Sequence, residues 1–202
     1  MVLALRCVCV KIVVAVCILL ASSLSVAGDI EEPQWDLVET LGKVEVRHYA
    51  PSVQAVTELP NSAGTSKGFR RLAGYIFGGN ERSQSIAMTA PVQETLTDGS
   101  PVMAFTMPSE YALEDLPSPT DERVSLVPVP AKMVAVVRFS GWATGSKVAK
   151  MREQLLATLE ERQLELVGEP VLNQYNPPWT APFLRRNEIA VEVKWGGELA
   201  GR

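Results

Sequence analysis

The chain reads as short strand-like stretches set off by turns, with two longer amphipathic stripes. Val44, Val46 and His48 alternate with Glu45, Arg47 and Tyr49, the period-2 pattern of a half-buried strand, and Pro51 ends it. A second strand is predicted from about Val53 to Leu59, broken at Pro60-Asn61. Phe69, Leu72, Ala73, Ile76 and Phe77 then fall at i, i+3, i+4, i+7 and i+8, one apolar face of a helix. Thr65 or Ser66 is placed to cap its start, and Gly78-Gly79 to stop it with a left-handed residue. Further strands are expected around Ile86–Thr95 and Val102–Met107.

After this first group the order recurs. Ser109–Asp121, flanked by Pro108 and holding Pro117, Pro119 and four acids, reads as an exposed connector. Strands are expected over Val124–Val129 and Met133–Phe139, and a longer helix over Ser146–Arg162 with Val148, Met151, Leu155 and Leu159 inward. Val171–Tyr175 and Ile189–Val193 supply the last two strands. Strand-strand-helix-strand-strand, given twice, predicts an α+β fold of two similar halves. Two helices cannot cover both faces of eight strands, so the sheet is expected to curl into a distorted antiparallel β-barrel around its own core, with the helices packed on it. The repeat lies in the order of elements, not in residue-level similarity.

The amino terminus carries a different signal. Arg6 and Lys11 flank or interrupt an apolar run from Val8 to Leu20, and Ser25-Val26-Ala27 follows before the first acid at Asp29. This is the layout of a cleavable secretory signal over residues 1–27. The alternative is a membrane anchor through residues 8–20, but that run is shorter than the roughly 20 residues a spanning helix needs. Periplasmic or secreted localisation is therefore expected, with no stable membrane span after cleavage. The remaining 175 residues (202 less 27) carry a net charge of −6 (17 bases against 23 acids) and form one domain, 28–202. A mildly acidic chain without a long basic run is a poor partner for nucleic acid.

Much chemistry is excluded at this level. Cys7, Cys9 and Cys17 all lie in the signal, so the domain has no disulfide, thiol nucleophile or cysteine metal site. A single histidine rules out a multi-histidine zinc or iron centre. No HExxH, GxSxG or Walker loop occurs. An enzyme using carboxylates or a Ser/Thr hydroxyl stays open.

Several stretches together resemble the SOUL family of heme-binding proteins. They are Val44-Glu45-Val46-Arg47-His48-Tyr49-Ala50-Pro51, Tyr75-Ile76-Phe77-Gly78-Gly79-Asn80-Glu81, Ile86-Ala87-Met88-Thr89-Ala90-Pro91-Val92, Val137-Arg138-Phe139-Ser140-Gly141, and Tyr175-Asn176-Pro177-Pro178 with Arg185-Arg186-Asn187-Glu188-Ile189. The resemblance spans roughly Trp35 to Val193. It implies a two-half distorted antiparallel barrel and an activity of binding heme or a related tetrapyrrole, here a non-covalent b-type heme. Some members hold heme through a histidine in the strand matching Val46-Arg47-His48-Tyr49; others use an apolar groove beside the first helix.

On that footing His48 is the candidate iron ligand, since one neutral imidazole suffices as an axial ligand. Its alternative is a strand histidine satisfied by a backbone carbonyl. Phe69, Leu72 and Ile76 are candidates to line an apolar slot. Lys67, Arg70 and Arg71 on the same helix are candidates to pair with heme carboxylates; a core stripe with a solvated basic face is the alternative. Met88, Met103 and Met107 are read as core fillers before axial ligands, and Arg185-Arg186-Asn187-Glu188 as a hydrogen-bonded corner. The four tryptophans form no stacking box by sequence. The functional expectation is an exported heme or tetrapyrrole carrier or scavenger. The alternatives are a barrel that binds another small apolar ligand and a tetrapyrrole-modifying enzyme.

Overall fold

In a computed structural model, residues 30–60, 64–97 and 99–196 are described. The signal segment, its cleavage point and the apolar run 8–20 lie outside them. The elements in chain order are β1 (Trp35–Leu41), β2 (Val44–Tyr49), β3 (Ser52–Glu58), α1 (Thr65–Ile76), β4 (Val92–Thr95), β5 (Val102–Thr106), β6 (Ser125–Val129), β7 (Lys132–Phe139), α2 (Gly145–Glu161), β8 (Leu166–Gln174) and β9 (Asn187–Val193). Among these residues no helix is long and apolar enough to cross a membrane.

All nine strands join one sheet in the order β1-β2-β7-β9-β8-β4-β5-β3-β6, every pairing antiparallel. The order has a two-fold logic. Exchanging β2 with β6, β3 with β7, β4 with β8 and β5 with β9 returns the same order reversed, with β1 left over as an extra edge. The leading strand of each half is traded: β2 pairs with β7 of the second half, and β6 pairs with β3 of the first. Pairing of β4 with β8 joins the halves at the middle.

The expected core inside the curl is corrected. Alternation does bury one face of each strand, but the two main cores lie under the helices. Val44, Val46, Ala135, Val137, Ile189 and Val191 pack with Met151, Leu155 and Leu159 of α2. Ala55, Met103 and Phe105 pack with Leu72, Tyr75 and Ile76 of α1. On the concave face Val134, Val136 and Ala190 form a smaller cluster with Tyr49 and Val171 beside them, and the rest of that face mixes apolar and polar side chains.

Local chemistry sets the helix ends. Thr144 caps α2 by accepting from the Lys147 amide at 3.4 Å. The expected Thr65 or Ser66 cap on α1 does not form: Gly64 holds the cap position, and the Thr65 hydroxyl donates to Glu94 Oε2 at 3.1 Å. Gly78 follows α1 at φ +104°, and a Cβ on Gly79 would sit 2.6 Å from the Gly74 carbonyl oxygen, so both glycines are required.

Three further expectations shift. β1 was not predicted, because it is an exposed edge strand whose alternation is broken by an irregularity between Leu37 and Glu39. In the expected strand Ile86–Thr95, only Val92–Thr95 enters the ladder. The connector 109–121 is anchored as well as exposed: Leu116 and Pro117 are buried, and the Pro117 carbonyl accepts from the Tyr75 hydroxyl at 3.0 Å.

Candidate functional site

Because each strand shows one face to a helix, its alternate residues converge on the concave side. Gln54 and Val56 of β3, Gln93 and Thr95 of β4, Ala104 and Thr106 of β5, Lys132 and Val134 of β7, Asn173 of β8 and Glu192 of β9 line a cleft of roughly 330 Å³ between the half-sheets. That is near the lower end of the range of about 300–1,000 Å³ typical of ligand sites. Gln54 Nε2 donates to Gln93 Oε1 across it at 2.9 Å. The Asn173 Oδ1 is buried and has no hydrogen-bond partner.

A buried charge network closes one wall of this cleft. Glu188, 0% exposed, accepts from Arg47 Nη1 at 3.0 Å and Nη2 at 3.3 Å, from Arg186 Nε at 3.0 Å and from the Tyr175 hydroxyl at 2.8 Å. Arg47, 3% exposed, also donates to Tyr49 and Glu45 and lies 4.1 Å from the centre of the Trp35 ring. Burial works against the Arg47 charge, but the hydrogen bonds it donates to Glu188 and the negative charge of that carboxylate outweigh this and hold the guanidinium above its ordinary range. Burial, reinforced by the Glu188 charge, pushes the Tyr175 phenol up. Burial likewise raises Tyr49 against the opposing Arg47 hydrogen bond. Both phenols therefore stay protonated at neutral pH; Tyr175 donates to Glu188, and the Tyr49 oxygen accepts from Arg47.

Sequence alternation assigned Glu45, Arg47 and Tyr49 to a solvent face; that face is the cleft side, and Arg47 is one of the least exposed residues there. The Arg185–Glu188 corner is as expected. Arg185 Nε donates to the Thr180 carbonyl at 3.0 Å, and Asn187 Nδ2 to the Gly141 carbonyl at 3.0 Å.

His48 lies on the other face of β2, with Val44 and Val46, and is half-buried. Its direct cross-strand neighbours are Asp36 on β1 and Met133 on β7, whose side chains share its face about 5 Å away. Met133 packs on the core beneath α2, as does Trp195. His48 thus presents one imidazole between an acid, Asp36, and a thioether, Met133, at the rim of the core beneath α2. Among the described residues no group of three or more His, Cys, Asp or Glu side chains could hold a bare metal ion.

The first-helix candidates are distributed differently. Leu72 and Ile76 are sealed in the core. Phe69 is partly exposed and meets the Phe105 ring edge-on at 5.4 Å. Arg71 is tied to the Thr57 hydroxyl at 2.5 Å and the Glu58 carbonyl at 3.2 Å, with Asp121 at 3.8 Å. Lys67 and Arg70 are exposed, and Arg70 bonds only the Ser66 carbonyl, at 3.3 Å. α1 packs against β3 and β5, and five strands separate β3 from β2 in the sheet. His48 and the α1 bases are thus two sites, not one. The methionines Met103 and Met107 are buried core fillers, and Met88 packs at the edge of the same cluster.

Comparison with known proteins matches this geometry to a family. The description "SOUL heme-binding protein" matches residues 30–192. Heme-binding protein 2 of Mus musculus is 30% identical over 192 residues, covering 82% of this chain and 91% of that protein. Heme-binding protein 2 of Homo sapiens is 31% identical over 194 residues, with the same coverage. The fold alone is shared with the crystal structure of the EcmrR C-terminal domain, at TM-score 0.59 and 10% identity over 75% of this chain and 96% of that one. A match running through nearly every described element, with two relatives at this level of identity, means that the chain belongs to the SOUL heme-binding protein family.

Proposed function

We propose that the chain binds heme, or a closely related tetrapyrrole, non-covalently as a b-type ligand, and that it does so as an exported carrier or scavenger. The observation that carries the proposal is the family match over residues 30–192. Residues 28–202 contain no cysteine, so no thioether attachment to the porphyrin is available there.

His48 is the proposed axial ligand. Its imidazole is half-exposed at the rim of the core beneath α2, so a planar ligand reaches it without disrupting that core. When bound, heme supplies the iron that an imidazole can coordinate; the chain's part is to present the nitrogen and cover one porphyrin face with Met133 and neighbouring side chains. Lys67 and Arg70 on α1 are free to meet carboxylates but stand on the other half, so they serve a separate groove in this reading.

Titrating hemin into the chain lacking residues 1–27 tests the proposal. A saturable, stoichiometric shift of the Soret band that holds with time is the expected result. His48→Ala is expected to change that spectrum and to leave only residual apolar binding. An unmoved spectrum would exclude heme binding, and a pigment that changes with time would favour a tetrapyrrole-modifying enzyme. A second reading, a barrel that binds another small apolar ligand, is favoured by the cleft and its unpartnered Asn173 oxygen. The cleft does not favour heme itself. Its facing cation Lys132 is paired with Glu192 at 3.7 Å, and Glu169 faces the same space.

A further inference from the structure

The end of the barrel where β7 stops displays four large apolar side chains to solvent: Trp142 at 55% exposure, Trp179 at 85%, Phe183 at 77% and Leu184 at 64%. They come from two loops far apart in sequence, 140–144 and 175–186, that are fastened together. The Gly141 amide donates to the Pro182 carbonyl at 2.9 Å. Arg185 is buried between the loops, its guanidinium 3.9 Å from the centre of the Trp142 ring and donating to the carbonyls of Thr180 and Pro178. The usual placement is inverted here, with a cation inside and aromatic rings outside. These rings cannot fold back into a core, because the loops that carry them are held in place.

The two chain segments that carry them are basic. Residues 138–152 and 175–186 contain six bases and no acid, within a chain whose net charge is −4. Arg152 and Arg186 are paired with Glu169 and Glu32, and Arg185 braces the loops. Arg138, Lys147 and Lys150 are exposed and make no ion pair among the described residues. Lys147 and Lys150 sit in the first turns of α2, directly after Trp142. Exposed Trp and Phe with flanking Lys and Arg are the groups that enter the headgroup region of a bilayer and attract anionic lipid.

We propose that this end of the barrel is a docking surface for an anionic membrane interface. Trp179, Phe183 and Leu184 enter the headgroup region while Lys147 and Lys150 meet lipid phosphates. The proposal does not rest on heme binding, and its test has no heme in it.

The chain lacking residues 1–27 is mixed with sedimentable vesicles of equal parts phosphatidylglycerol and phosphatidylcholine, and separately with phosphatidylcholine alone. Expected are co-sedimentation with the anionic vesicles, a blue shift of tryptophan emission, and weakening with added salt. Trp179→Ala with Phe183→Ala is expected to lower partitioning by at least about tenfold. Lys147→Glu with Lys150→Glu should abolish the preference for phosphatidylglycerol while keeping the melting temperature. The lysines are solvent-exposed, so this second pair keeps the test valid even if the aromatic pair fails to fold. Absence of wild-type binding to anionic vesicles would overturn the proposal, as would vesicle binding unchanged in both variant pairs. So would a wild-type dimer in sedimentation that Trp179→Ala with Phe183→Ala dissolves, with no vesicle binding, which would assign the surface to a second copy of the chain.

Discussion

Replacing Glu188 with leucine probes the wall of the cleft. The carboxylate is fully buried and accepts four hydrogen bonds, two from Arg47 and one each from Arg186 and Tyr175. Arg186 retains Glu32 as a partner, but Arg47 loses its fully buried counter-charge and keeps the half-exposed Glu45, the Tyr49 hydroxyl and the Trp35 ring. Breaking a buried pair by removing one partner costs about 3–5 kcal/mol, because the charge left behind is incompletely compensated. For a domain of this size each kcal/mol moves the midpoint by about 2–4 °C, so Glu188→Leu should lower Tm by about 6–20 °C. Arg47→Met with Glu188→Leu removes both charges, and the double variant should recover most of that loss. Urea unfolding of the wild type, both single variants and the double variant gives the coupling energy directly. A Glu188→Leu cost below about 1 kcal/mol, or a double variant as unstable as the sum of the singles, would refute the reasoning, since either would mean that water reaches the pair.

Burial raises the Glu94 carboxyl above its ordinary range, against the opposing hydrogen bond from Thr65. The folded state then holds the proton more tightly than the unfolded one, and stability falls as pH rises through and above the ordinary glutamate range. Glu94→Gln keeps an acceptor for Thr65 and should gain about 0.5 kcal/mol at pH 7, or about 1–2 °C in Tm, with no gain at pH 4; equal gains at both pH values would contradict this. Leu72→Ala should cost about 2–5 kcal/mol in unfolding free energy while hemin affinity of the folded fraction stays constant, because Leu72 is core and not ligand surface. Lys67→Ala with Arg70→Ala should leave both stability and the hemin spectrum close to wild type, because both side chains are exposed and make no ion pair among the described residues; a lost Soret shift would move the heme site to α1.

Periodicity carried most of the fold. The stripe Phe69, Leu72, Ile76 and the alternation of β2, β7 and β9 are strong because each element buries one face against a helix. β1 was illegible because an exposed edge strand with a bulge has no clean alternation, and its ladder is supplied by β2. The buried role of Arg47 was hidden for a different reason. A polar residue alternating with valines looks solvent-facing unless its partner is known, and Glu188 lies 141 residues away. The same distance effect hid the union of Trp142 with the 175–186 loop, which depends on Arg185 lying between them. The repeated element order, legible in the sequence, did not reveal that the leading strands of the two halves are exchanged, because pairing between halves leaves no local signature. Nor could sequence separate His48 from Lys67 and Arg70; only the strand order does so.

Ferric heme is paramagnetic and broadens the amide signals of nearby residues, so a nitrogen–proton correlation spectrum recorded with and without hemin tests binding and its place together. The account predicts selective loss of signal at Asp36, Arg47–Tyr49 and Met133, with the amides of Thr65–Ile76 retained. Broadening centred on Thr65–Ile76, or no broadening anywhere, would contradict it.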